Sequence, residues 1–359
     1  MTMMKKLSML SLIVFGIFML SIKSALADII NIKTDAPQTY VVEKGDTLWD
    51  ISNLFLDQPW LWPELWRNNT QIENPHLIYP GDVLRLRYVD GQPVMEIVRD
   101  KTSLSLSPES VTRTKPSPIG VLPWKVLGPY FKNDSIIDLE AYDALPRLLG
   151  DSEGTTTFVK KDFVLSHKPV NADTNYTIIR KSKLLKDEEG TVIGYQVKNV
   201  GEVELMNSTS GKQQIVRLVK SNREARPGDK LRPVESIDTS DLILQASTTQ
   251  MGRIIANIED RSLIGKRDVV VISLGAADVK PGMVMGIYAQ GPAIMDSEKP
   301  RYEHGQSVVK DLFSASERVE QPAFKIGELI IFKTFDNASY AWITQADKHM
   351  QGGEYLGKP

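Results

Sequence analysis

The chain contains no cysteine. That excludes a thiol nucleophile, a disulfide framework, thiolate-bound zinc and an iron–sulfur cluster. It also leaves no cysteine to carry a lipid. Histidine is nearly as scarce: His76, His167, His304 and His349 are the only four, far apart and without a His-Glu-x-x-His spacing. Histidine-rich metal chemistry is not expected, and no cofactor is. There is no excess of positive charge either. The 43 Lys+Arg stand against 45 Asp+Glu, a formal −2, so nucleic acid is not an expected partner. Beyond the N-terminus no apolar run approaches the ~20 residues that a membrane-spanning helix needs.

What is present suits a folded protein. The 359 residues are 42% hydrophobic and 25% charged, enough apolar material for two or three domains. The first 27 residues have a tripartite pattern. Lys5 and Lys6 form a positive start, Leu7 to Ile22 is apolar, and Ala25-Leu26-Ala27 is a small-x-small cleavage site before Asp28. This is the pattern of a secretory signal peptide at 1–27; the alternative is an uncleaved membrane anchor, for which the apolar part is shorter than a spanning helix. Removing it takes away three lysines and no acid, so the mature net charge becomes −5. An exported protein without a transmembrane segment, with the periplasm as its compartment, is expected.

Composition then divides the chain. Residues 38–88 hold Trp49, Trp60, Trp62 and Trp66, four of the six tryptophans. Residues 89–118 read as a short polar strand followed by a linker, since eleven of the eighteen residues 101–118 are Ser, Thr or Pro. From 119 onward short β-branched runs alternate with Gly, Pro, Asn and Asp, the pattern of strands and turns. One short helix is expected around Asp138–Leu149. Two β-rich regions, 119–240 and 241–359, share a loose repeat. Val200-Gly201-Glu202-Val203-Glu204-Leu205 leads to Gly228-Asp229, and Ile326-Gly327-Glu328-Leu329-Ile330-Ile331 leads to Gly353-Glu354, at Gly-to-Gly spacings of 27 and 26. The strand-like runs Ile215–Val219 and Ser339–Thr344 lie between. Duplication and chance recurrence of common pairs both account for this pattern. A small barrel or sandwich suits either.

The informative stretch is TYVVEKGDTLWDISNLFLDQPWLWPELWRNNTQIENPHLIYPGDVLRLR, residues 39–87. Tyr40-Val41-Val42 is a strand and Gly45-Asp46 a turn. Thr47 and Asp50 have capping-box spacing, so a helix starts there, with Leu48, Ile51 and Phe55 as its apolar face. Pro63 and Glu64 suit the first turn of a second helix, which Asn68-Asn69 can end. Pro80-Gly81-Asp82 turns into a closing strand at Val83, Leu84 and Leu86. The two strands would pair antiparallel with both helices on one face.

These segments resemble a LysM domain: Tyr40-Val41-Val42, Gly45-Asp46-Thr47-Leu48-Trp49-Asp50-Ile51, and Asn74-Pro75-His76-Leu77-Ile78-Tyr79-Pro80-Gly81-Asp82-Val83-Leu84. The Trp-rich stretch Asp57–Trp66 departs from the commonest pattern and is similar to LysM proteins of proteobacteria. With the β-rich pattern that follows, the fold class expected is α+β, a small βααβ LysM domain followed by a β-rich barrel or sandwich-like region. The resemblance implies non-catalytic binding of peptidoglycan, or another N-acetylglucosamine-containing glycan. The groove would lie between two turns, with Gly45, Asp46, Thr47 and Leu48 on one side and Leu77, Ile78, Tyr79 and Pro80 on the other. Backbone amides and carbonyls would bond the acetamido group while Leu and Ile pack on its methyl.

Plainer roles compete for several residues. Trp49 and Trp66 suit the core of so small a domain. Trp60 and Trp62 suit core and sugar platform equally. Asp46 and Asp82 can simply shape turns, and His76 can be a solvated loop residue. The basic run Arg180-Lys181-Ser182-Lys183 and the charges from Arg217 to Arg232 read as solvated strand and loop positions. No Gly-x-Ser-x-Gly elbow or convincing Ser-x-x-Lys occurs, and a lysozyme-like acid would need a helical lobe absent from this pattern. The function expected is therefore tethering of a β-rich, partner-binding region to the cell-envelope glycan. The alternatives are an assembly or structural factor acting through protein contacts of the β-rich region, and, more remotely, a peptidoglycan hydrolase.

Overall fold

The computed structural model describes residues 30–66, 77–98, 118–168, 175–187, 189–210, 213–234, 242–296, 299–302 and 317–359. The signal-like segment 1–27, the pair Asn68-Asn69, His76 and the stretch 101–117 lie outside them. The fold is α+β. It divides into two compact units, and the division passes through the Trp-rich block. One unit holds the described residues of 30–42, 51–66 and 81–98; the other holds those of 43–50, 77–80 and 118–359.

In the first unit β1 (Thr39–Val41) runs antiparallel to β2 (Val83–Val89), with Tyr40 opposite Leu84. This is the expected pairing. The chain then turns through Asp90 and Gly91, both with positive φ, into β3 (Gln92–Val98), which pairs with all of β2. Asp-Gly supplies the left-handed pair that a two-residue hairpin needs, so the piece read as a polar strand is the third strand of this sheet. Helix α1 (Leu48–Phe55) follows the first turn. Pro59–Leu61 form a 3₁₀ turn, and α2 (Trp62–Trp66) follows with Pro63 and Glu64 in its first turn, as expected. All four tryptophans of the block are buried, Trp62 completely. Trp62 and Trp66 meet edge to face at 5.3 Å. Their role is core, which settles Trp60 and Trp62 as well.

The second unit begins its regular structure with α3 (Trp124–Asn133), β4 (Asp134–Ile137) and α4 (Leu139–Ala144). Asp138 caps α4 by accepting from the Glu140 and Ala141 amides. The expected helix around Asp138–Leu149 is thus α4 alone, since Pro146 cannot extend it. Strands β5 (Phe163–Ser166), β6 (Tyr176–Lys186), β7 (Val192–Ser210), β8 (Gln213–Ser221) and β9 (Lys230–Pro233) form a sheet in the order β5-β8-β7-β6-β9. Arg147 pairs with Lys230 and Leu148 with Ser166. Residues 146–149 therefore join the two edges, and the sheet closes on itself, which leaves no open edge along that join.

A second ring follows. After β10 (Gln245–Ala246) come β11 (Gly252–Asn257), β12 (Val269–Ile272) and β13 (Met283–Gln290). A ribbon of β14 (Ile294–Asp296), β15 (Arg301–Tyr302) and β16 (Glu317–Val319) intervenes before β17 (Ala323–Thr334), β18 (Ser339–Ala346) and β19 (Tyr355–Gly357). The order β13-β17-β18-β12-β11-β19 closes through pairing of β19 with β13, giving a six-stranded barrel.

The two rings share one strand plan, with 146–149 in the place of β11. The register agrees residue by residue. Val164 faces Val216 as Val270 faces Ala341. Val203 faces Leu218 as Leu329 faces Ile343. Ile178 faces Leu231 as Ile287 faces Leu356. These twelve residues belong to the buried cores of their barrels. The turns agree too. Asp162 accepts from the Val159 amide and Asp268 from the Gly265 amide, each next to a residue with positive φ, Lys161 and Arg267.

Candidate functional site

The first turn of the predicted groove is built by Glu43 to Thr47. The Asp46 amide donates to the Glu43 carbonyl, and the Asp46 carboxylate accepts from the Glu43 amide at 2.8 Å. Asp46 therefore shapes the turn. Gly45, with φ of +115°, is exposed at its tip. Thr47 is buried and caps α1, accepting from the Asp50 amide at 3.1 Å. The reciprocal half of the capping box is altered: the Asp50 carboxylate accepts a hydrogen bond from the Thr47 hydroxyl at 2.7 Å. Aspartate is one methylene shorter than the usual Glu, and its carboxylate engages the hydroxyl.

The second turn presents Leu77 exposed, Ile78 buried, and Tyr79 and Pro80 half-buried. The structure does bring the two turns to one place, but a piece of the chain lies between them. The Leu48 amide donates to the Gly120 carbonyl at 2.9 Å, and the Trp49 amide donates to the Val121 carbonyl at 3.2 Å. On the other side the Ile119 amide donates to the Ile78 carbonyl at 2.8 Å. Thr47 and Gly120 pair as parallel strand residues. Leu48 and Ile78 are 2% and 1% exposed and Ile119 is 9% exposed. The backbone groups proposed for a sugar amide thus hold Ile119-Gly120-Val121.

Of the eight residues assigned to the groove, Gly45, Asp46, Leu77, Tyr79 and Pro80 keep accessible surface; Thr47, Leu48 and Ile78 do not. Ile119, Gly120 and Val121 are not among the expected site residues and fall at the start of the expected β-rich region. A local signal was there. Pro118 and Pro123 fence the short apolar run Ile-Gly-Val-Leu, and such a fenced run reads as a separate extended piece.

A family model for LysM domains matches residues 40–87. Residues 40–87 are a LysM domain. The chain is also similar to an uncharacterised protein of Bacillus subtilis (strain 168), YqbP, at 38% identity over 61 residues. That match covers 14% of this chain and 28% of YqbP. The chain thus spans well under two thirds of that relative's length. A LysM domain is a binding domain, and the match supports recognition of peptidoglycan or another N-acetylglucosamine glycan.

Elsewhere the polar groups serve the fold. Arg180, assigned to a solvated basic run, instead forms a two-point ion pair with Asp229, Nε to Oδ1 and Nη2 to Oδ2 both at 2.7 Å. Asp229 is 4% exposed and also accepts from the Arg226 amide. The hydrogen bond to Asp229 raises the Arg180 pKa further. Arg232 donates to Ser135 at 2.7 Å. A cavity of about 1270 Å³ opens beside these residues, lined in part by Trp124, Glu202, Glu204, Arg232, Lys333 and Phe335. Among the described residues no three His, Asp or Glu side chains gather as metal ligands, and no helix is long and apolar enough to cross a membrane.

Proposed function

We propose that the protein is an exported, non-catalytic envelope protein whose LysM domain binds the N-acetylglucosamine-containing strands of peptidoglycan and tethers the two-barrel region there. The LysM match along the whole of 40–87 carries this reading. The signal-peptide pattern of residues 1–27 supports export, with the periplasm as the compartment. In the tethering role the glycan contact raises local concentration and the barrels meet another envelope component. The large cavity in the β-rich unit is the surface that favours such a contact, because it joins exposed charge to aromatic faces.

One shallow groove makes few desolvated contacts, so affinity per domain is weak. The test is cosedimentation of the mature chain with purified peptidoglycan. Leu77 is the appropriate position to alter, since it is 43% exposed and a charge there leaves the core intact. The intact chain is expected in the pellet and Leu77→Asp in the supernatant with an unchanged circular dichroism spectrum. Equal pelleting of the two removes Leu77 from the contact; no pelleting of the intact chain ends the glycan reading. Release of soluble muropeptides would turn the assignment to a hydrolase.

A further inference from the structure

The residues that bridge the LysM turns carry the chemistry of the ligand proposed for them. An N-acetyl group presents one N–H donor and one carbonyl acceptor. The chain's own segment presents the Ile119 N–H to the Ile78 carbonyl and the Gly120 carbonyl to the Leu48 N–H. The single hydrogen of the Leu48 amide is thereby taken up, and a sugar carbonyl cannot use it while Gly120 does.

We propose that Ile119-Gly120-Val121 is an internal occupant of the LysM cleft, and that glycan binds only to the fraction of molecules in which this segment has left. The inference rests on the glycan-binding reading and adds its regulation. The occupant is covalently attached, so it competes at high effective concentration. Apparent affinity is divided by the open fraction.

Gly120 allows the segment to fold closely against its own continuation. A Cβ there would stand 2.8 Å from Trp124 Cδ1 and 3.1 Å from the Leu122 carbonyl oxygen. The second of these is backbone and yields little. A side chain at 120 therefore strains the segment's own path into Leu122 and Trp124, which loosens its seat, while both LysM turns are left unaltered. Proline at 119 does the same by another route, because it removes the N–H that Ile78 accepts.

The test uses the full mature chain, Gly120→Val and Ile119→Pro, with N-acetylchitohexaose as the probe. Binding is read by calorimetry, and the Leu48 and Trp49 amides by hydrogen exchange. In both variants these amides are expected to exchange faster without sugar and to regain protection with it. Sugar affinity is expected to rise about tenfold, the factor for a cleft open about a tenth of the time. Faster exchange with unchanged affinity in both variants overturns the competition but leaves glycan binding standing. Unchanged exchange in both overturns the docking itself. Absence of sugar binding by all three proteins removes the glycan reading, and the inference with it.

Discussion

At the residue scale the informative case is Asp229. It is buried, and its carboxylate accepts two bonds from Arg180 and one from the Arg226 amide. Arg180 keeps part of its surface in solvent, 32% of its side chain, so the desolvation cost falls mostly on the carboxylate. Removing that carboxylate leaves the Arg226 amide and Arg180 Nε without this acceptor, while Arg180 Nη2 keeps the Glu224 carbonyl at 2.8 Å. Asp229→Ala is expected to cost about 3 kcal/mol, read as a lower urea midpoint at unchanged m-value. The pair was not legible in the sequence. Arg180 sits in a basic run whose simplest reading is solvation, and its partner lies 49 residues away.

At the scale of elements the two barrels use the same device at the same point. In β7 a Cβ on Gly201 would come within 2.3 Å of the Lys220 carbonyl oxygen; in β17 one on Gly327 would come within 2.3 Å of that of Gln345. Neighbouring strands cross closely here, and both contacts are with backbone. Gly201→Ala and Gly327→Ala should each cost about 2 kcal/mol through strand displacement. Thermal unfolding of the two variants checks this, with Gly190→Ala unsuitable as a control because its φ is positive; Gly150→Ala, in open space, is suitable. The Gly-Glu pairs of the loose repeat mark this crossing in each ring, and the later Gly-acid pairs mark the turn before the last strand. Helix α3 was not legible at all. Gly128 and Pro129 lie inside it, and both lower helix propensity, so tertiary packing has to supply what the local sequence withholds. The LysM helices were legible, because Thr47 and Asp50 announce the first and the apolar spacing follows.

For the whole molecule, the larger unit is laced together by polar contacts between α3, the first barrel and the second. Tyr130 donates to Glu259 at 2.6 Å, Lys183 pairs with Asp260 at 2.7 Å, and Gln196, itself buried, donates to the Ile258 carbonyl at 3.2 Å. Burial, and then the bond to Glu259, push the Tyr130 hydroxyl from 10.0 to about 12. A raised folded-state value means that this stability is fully present below pH 10.0 and is lost as pH rises toward about 12. Denaturant midpoints measured across that interval are expected to fall, and Tyr130→Phe to fall less steeply. Because Tyr130 is only half-buried, solvent screening keeps the difference small.

The sequence by itself determined the LysM domain. Its cues are short-range: a capping pair, a helical apolar spacing and turn residues act within a few positions of one another, so a linear reading captures them. It also determined that most of the remainder is β. What only the tertiary structure decided is closure and occupancy. A ring closes when strands far apart in the chain meet, as Leu148 meets Ser166 and Tyr355 meets Tyr288, and period-2 alternation carries no address for a partner strand. The occupant of the cleft was hidden for the same reason. Leu48 and Gly120 offer ordinary backbone groups that every residue pair offers, and only the folded path of the chain selects which amide meets which carbonyl.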